Sequence, residues 1–245
     1  MIEANLELSI EKGREVVKRN DIAIVIDALR CSSTIITAIA NDVREIIPVE
    51  TLDEAFKLLS NNSNIILVGE RKGQKIDGFD LDNSPLEFIT NEFRGKRIVI
   101  TTTNGTSAIK QVEKCPMVLI GAFMNSNEVT KKALILAQKY QTGITILLAG
   151  RNHNFFLEDF LCAGLLSSKF KYSSANLNDH ALASMLSWER AECNINEIIK
   201  NSQHGKDLIE IGLEKDMDFC LNIDSYSVVP CLERNSIKIF SGGKI

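Results

Sequence analysis

The sequence predicts an α/β protein, a three-layer α/β/α arrangement with a mostly parallel sheet. Three observations predict it. Short β-branched runs alternate with helix-length segments through residues 1–170, the pattern of successive βαβ units. The runs AIVI, IILV and ITILLA are apolar throughout, as strands buried on both faces are. Four of the strands run into loops dense in acids, hydroxyls, Gly or Asn: IAIVIDALRCSST (22–34), IILVGERKGQKIDGFDLDNS (65–84), RIVITTTNGTS (97–107) and ITILLAGRNHNFFLED (144–159).

In chain order, strands are expected at 4–10, 22–27, 45–49, 65–68, 97–102, 117–121 and 144–148. Helices are expected at 32–41, 53–60, 84–91, 105–113, 126–140 and 157–170. Thr51 with Glu54 is a capping-box pattern, and Pro85 suits a first helical position. Ser126 or Asn127 can cap its helix, with Gly143 just past the end. From about residue 176 the pattern turns helical, through NDHALASMLSW, INEIIKN and HGKDLIEIGLEKDMDFCLNI. YSVVPCLERNSIKIF then reads as one or two closing strands, with Pro230 favouring an edge. No linker separates the regions. Residues 1–245 are read as one domain: a βα core (1–170) and a mainly helical segment with closing strands (171–245) packed on the sheet.

Composition narrows the function. The chain has 28 basic and 32 acidic residues, a net charge of −4, which argues against a nucleic-acid partner. None of the six cysteines forms a CxxC pair, so reduced, buried thiols are expected. MIEANLELSIEKG lacks the features of a signal peptide. No apolar stretch approaches the roughly 20 residues that span a membrane. The cytoplasm is the expected compartment, and a homodimer is compatible with these features.

Ligands of parallel α/β sheets bind at the carboxyl ends of the strands. Asp27, Glu70, Thr103 with Asn104, and Glu158 with Asp159 all fall at such ends. Asp27 can ligate a hard cation such as Mg²⁺, and Cys31-Ser32-Ser33-Thr34 opens a helix whose N–H groups favour an anion. The alternative is that Asp27 and Ser32 or Ser33 only cap. The segment GERKGQKIDGFDLDNSP holds Glu70, Asp77, Asp80 and Asp82 among Arg71, Lys72 and Lys75; it reads as a solvated charged loop or as part of a site. TTTNGTSAI offers hydroxyls and backbone donors through Thr102, Thr103, Asn104, Gly105 and Thr106, or is a well-capped helix start. Glu158 and Asp159 in a first helical turn also complement the helix dipole. His153 reads as an exposed loop residue, and Trp188 as packing. Several phosphate motifs are excluded. Leu29 breaks a DxD pattern, Thr37 breaks Cys-x5-Arg, the Asp80/Asp82 spacing is not an EF-hand, and neither GxxxxGK[ST] nor GxGxxG occurs.

VIDALRCSSTIITAIAN, LVGERKGQKIDGFDLDNSPLEF, TTTNGTSAI, VLIGAFMN, FFLEDFLCAG and GLEKDMDFC…YSVVP, in order from about residue 20 to 232, resemble the 2-phosphosulfolactate phosphatase family. The resemblance implies a Mg²⁺-dependent phosphomonoesterase that converts 2-phosphosulfolactate to 3-sulfolactate, a step towards coenzyme M. Two loops depart from the family pattern: Cys31-Ser32 stand in the first, and Asn154-Phe155-Phe156 precede Leu-Glu-Asp in the fourth.

On this reading Mg²⁺ is held by Asp27, Glu70 and one of Asp80, Asp82, Glu158 or Asp159. A metal-bound water is the first choice of nucleophile and Asp27 the second. Asp159 or a metal-bound water protonates the leaving group. Ser32, Ser33 and residues 102–106 bind oxygens. The substrate carries about −3 to −4 charge, so Arg30 and Arg71 are assigned to it, with Lys72, Lys75 and Arg151 nearby. Two alternatives are another small anionic phosphoester as substrate, and a non-catalytic anion-binding relative.

Overall fold

The structure, a computed structural model, describes residues 1–61, 64–150 and 154–240. The predicted alternation is present. In order come β1 (Glu3–Glu7), α1 (Gly13–Arg19), β2 (Ile22–Ile26), α2 (Cys31–Ala40), β3 (Glu45–Pro48) and α3 (Leu52–Asn61). Then follow β4 (Ile65–Arg71), β5 (Gln74–Lys75), β6 (Arg97–Thr101), α4 (Gly105–Gln111), β7 (Met117–Gly121), α5 (Ser126–Tyr140), β8 (Ile144–Leu148) and α6 (Leu157–Tyr172). The remainder holds β9 (Asn176–Leu177), α7 (Asp179–Ala191), α8 (Ile195–Lys200), α9 (Gln203–Glu210), α10 (Glu214–Cys220), β10 (Pro230–Glu233) and β11 (Ser236–Ile239).

One mostly parallel sheet runs in the order β5-β4-β6-β3-β11-β10-β7-β2-β8-β1-β9. Side chains alternate across it as the pleat requires. Ile22, Ile24 and Ile26 of β2 join the core formed with α5, α6 and α7. Ala23 and Val25 face the opposite core, with Ile35 and Ile39 of α2. That second core also takes Val68 of β4 and Ile98 and Ile100 of β6, while Leu67 and Val99 pack with α3. Residues Cys31–Ile39 of α2 are all buried, because this helix packs between the central strands β7 and β10 and the segment Pro85–Phe88. Each buried Ile there contributes about 1.5–3 kcal/mol.

Three expectations are corrected. Pro230 does not mark an edge: β10 and β11 form a hairpin inside the sheet, between β7 and β3. Proline fits because it opens its strand, and the pairing of β10 with β7 begins only at Cys231. The segment 84–91 makes only a short 3₁₀ turn, Pro85–Phe88. Phe88 is buried, but the position one turn on, Glu92, is exposed, so nothing anchors a longer helix. The capping box at α3 is shifted. Thr51 Oγ1 accepts from Glu54 N at 3.2 Å, but the Glu54 carboxylate takes Glu50 N at 3.0 Å instead of reaching Thr51.

The hairpin also changes how the strand ends are organised. β7–β10, β10–β11 and β11–β3 are all antiparallel. The parallel block β3/β6/β4 therefore runs opposite to β7/β2/β8/β1. Sheet twist of about 20–25° per strand amounts to roughly 100–125° between β2 and β6 and offsets much of that reversal. The loops after β2 and β6 consequently meet. A β-carbon built at Gly105 would lie 2.6 Å from Asp27 Oδ2 and 2.7 Å from Cys31 Sγ.

Candidate active site

Asp27 leaves β2 at the mouth of a cavity of about 420 Å³. Its Oδ1 accepts from Cys31 N at 3.2 Å, and its backbone N–H donates to Ser32 Oγ at 3.0 Å. No described residue donates to its Oδ2. Burial, reinforced by the charges of Glu70 and Glu158, raises its carboxyl pKa to about 6, against the Cys31 N–H and His204. Ser33 Oγ donates to Ala28 O at 2.8 Å, so the hydroxyls of Ser32 and Ser33 fasten the loop to itself.

Glu70 ends β4 and ties two loops together. Its Oε1 accepts from Thr103 N at 2.7 Å; its Oε2 accepts from Gly73 N at 2.8 Å and Thr103 Oγ1 at 3.1 Å. Gly73 has φ +78°, which glycine adopts readily. Thr102 and Thr106 bond each other across the start of α4. Asn104 stands at its N-terminus and lines the cavity with Thr103.

The third wall comes from α6 and α9. Glu158 is fully buried, and one carboxylate oxygen pairs with His204 Nδ1. Its Oε2 is buried with no partner among the described residues. His204 stacks on Phe156 at 4.2 Å. Burial works against its charge, but the hydrogen bond and charge of Glu158 outweigh that and raise its pKa. Asp159 accepts from Ala28 N at 2.8 Å. Burial, then the charges of Glu158 and Asp27, push its carboxyl well above the usual range. Both Phe156 and His204 line the cavity.

The remaining predicted residues are engaged in the framework. Arg30 is buried, with Nη1 2.9 Å from Asp82 Oδ2 and 2.7 Å from Asp216 Oδ2, and Nη2 3.2 Å from Gly73 O. Asp216 also takes Ser84 Oγ at 2.8 Å. Arg71 donates to Glu70 O at 2.8 Å and Thr101 Oγ1 at 2.9 Å. Asp80 holds Leu67 N at 2.7 Å. Asp27, Glu70, Thr103, Asn104 and Arg30 thus share the cavity, with Glu158 and Asp159 directly behind it. Asp80 and Arg71 do not line it. Arg151 and His153 lie outside the described residues. The sequence reading missed His204, which comes from a helix with no motif around it, and assigned no role to Asp216, although GLEKDMDFC contains it. All six cysteines are free; five are buried and Cys193 is exposed. No helix among the described residues is long and apolar enough to cross a membrane.

The donors suit a hard cation. Asp27 and Glu158 each carry a carboxylate oxygen that no described residue uses, as does Asp82 beside Arg30, and Mg²⁺ commonly takes one or two carboxylates with substrate phosphate and water. Among the described residues no group of three or more His, Cys, Asp or Glu is arranged to hold a metal by itself. A site of the magnesium kind, completed by substrate, fits this set; an all-protein cage does not.

A twisted α/β sheet whose strand-end loops bring carboxylates and an acid–imidazole pair to a small cavity is the framework of an enzyme working by carboxylate chemistry. The chain belongs to the 2-phosphosulpholactate phosphatase family, whose model matches residues 9–235. It is 39% identical over 224 residues to a probable 2-phosphosulfolactate phosphatase of Caldicellulosiruptor saccharolyticus, covering 90% of this chain and 92% of the relative. A protein of the same description from Thermotoga petrophila is 40% identical, covering 86% and 88%. One from Clostridium tetani is 38% identical, covering 94% and 97%. These names place the family among the phosphoric monoester hydrolases.

Proposed function

We propose that the protein is a magnesium-dependent phosphomonoesterase that hydrolyses 2-phosphosulfolactate to 3-sulfolactate and phosphate. The observation that carries this reading is the Asp27 carboxyl on the cavity, with a pKa raised to about 6 and an oxygen no described residue uses. The family membership supports it independently.

Asp27 and Glu158 would hold the magnesium ion. When bound, the ion offsets charge on the phosphoryl oxygens and lowers the pKa of water. Asn104, at the start of α4, offers its amide to the phosphoryl group. Glu70 keeps the Thr103 and Gly73 loops in register around it. Water attacks phosphorus, the ester P–O bond breaks, and the alkoxide takes a proton from His204, held cationic by Glu158. One water proton leaves with the phosphate and the other returns to His204, restoring its imidazolium. Phe156, stacked on His204, fixes the ring and keeps water from that side.

Phosphate release from a panel of phosphomonoesters, before and after chelation, tests this. We expect turnover of 2-phosphosulfolactate, a drop of about 100-fold or more with a chelator, and recovery with Mg²⁺. No release from any ester with Mg²⁺ present would sink the enzyme reading. Turnover indifferent to chelation would sink its magnesium part.

A further inference from the structure

Among the described residues, three that carry cationic side chains line the cavity: Arg30, Lys72 and His204. Arg30 is neutralised by Asp82 and Asp216, and His204 by Glu158. Lys72 has no ion-pair partner among the described residues. The phosphatase reading requires this cavity to accept a substrate with two anionic groups besides phosphate. The cations that bear on it are therefore decisive.

We propose that Lys72 determines substrate specificity by holding the sulfonate; this rests on the phosphatase reading above. Lys72 and Gly73 form the turn between β4 and β5, with φ +54° and +78°. The turn is anchored on each side. Lys72 N donates to Thr103 Oγ1 at 3.4 Å, Gly73 N to Glu70 Oε2 at 2.8 Å, and Arg30 Nη2 to Gly73 O at 3.2 Å. Gly73 also abuts Ile211, whose Cδ1 would lie 2.6 Å from a β-carbon at position 73. The backbone of Lys72 is thus fixed at the cavity while its ammonium stays uncommitted. An ammonium is a point charge with three rotatable donors, which suits a three-oxygen sulfonate better than a planar carboxylate. Asp207 and Glu210 line the α9 side of the cavity and repel an anion there. The anionic end of the substrate is directed towards Lys72.

The test compares wild type with Lys72→Met and Lys72→Arg on 2-phosphosulfolactate, 2-phospholactate, which lacks the sulfonate, and ethyl phosphate. Binding of 3-sulfolactate is measured separately by calorimetry. Loss of one charge-assisted contact should raise KM for 2-phosphosulfolactate about 10- to 100-fold in Lys72→Met. The effect should fall on KM far more than on kcat. The penalty on the other two esters should be at least about tenfold smaller, and Lys72→Arg should recover part of the loss. Sulfolactate binding should weaken in parallel. An equal penalty on all three esters, or a change confined to kcat, overturns the proposal. So does unaltered sulfolactate binding. If wild type binds sulfolactate but hydrolyses none of the esters, the phosphatase reading fails; Lys72 is then judged on the binding data alone.

Discussion

Asp27 occupies a place that disfavours its own charge. Its folded pKa, about 6, lies above the ordinary value of 3.8, so the folded state holds a proton that the unfolded chain releases between those values. Stability from this group therefore falls as pH rises from about 4 to 6 and stays reduced above. Asp27→Asn removes the penalty and still accepts the Cys31 N–H. Metal-free urea unfolding should show Asp27→Asn more stable than wild type by about 2–3 kcal/mol at pH 8 and nearly equal at pH 4. Lower stability at pH 8 would contradict the burial argument. Asp27 and Glu70 were legible in the sequence because strand ends advertise themselves by an abrupt switch from apolar to polar residues, and the Glu158-Asp159 pair because it opens the helix after such a loop. His204 gave no such signal. It is 46 residues from Glu158, and only the fold of the helical segment brings the two together.

At the scale of elements, Arg30 joins the loop after β2 to α10 and to the β4–β5 turn. Its motif and position were visible in the sequence, and an arginine at a strand end reads naturally as an anion ligand. Its partners were not visible, because Asp216 lies 186 residues away. Arg30→Met should leave Asp82 and Asp216 facing each other without a cation, at a cost of about 3–5 kcal/mol in urea unfolding. A free substrate ligand would behave differently: KM would rise with stability unchanged. The short 3₁₀ turn at Pro85 was read as a longer helix for a related reason. Its N-terminal signal was correct, but nothing downstream could be buried to sustain it.

Over the whole molecule, alternation and apolar runs were enough to specify an α/β sheet with helices on both faces. They could not specify the hairpin at its centre. Its pairing with β7 and β3 joins residues more than 100 apart in sequence. That insertion reverses one block against the other, and twist returns the loops after β2 and β6 to a common site. The central claim is that this meeting point, built around Asp27, performs the hydrolysis. It is tested most directly by measuring phosphate release from 2-phosphosulfolactate with Mg²⁺ for wild type and Asp27→Asn, at a pH where both are folded. The account predicts a loss of about 1,000-fold or more in kcat/KM. Turnover by Asp27→Asn within about tenfold of wild type would contradict it.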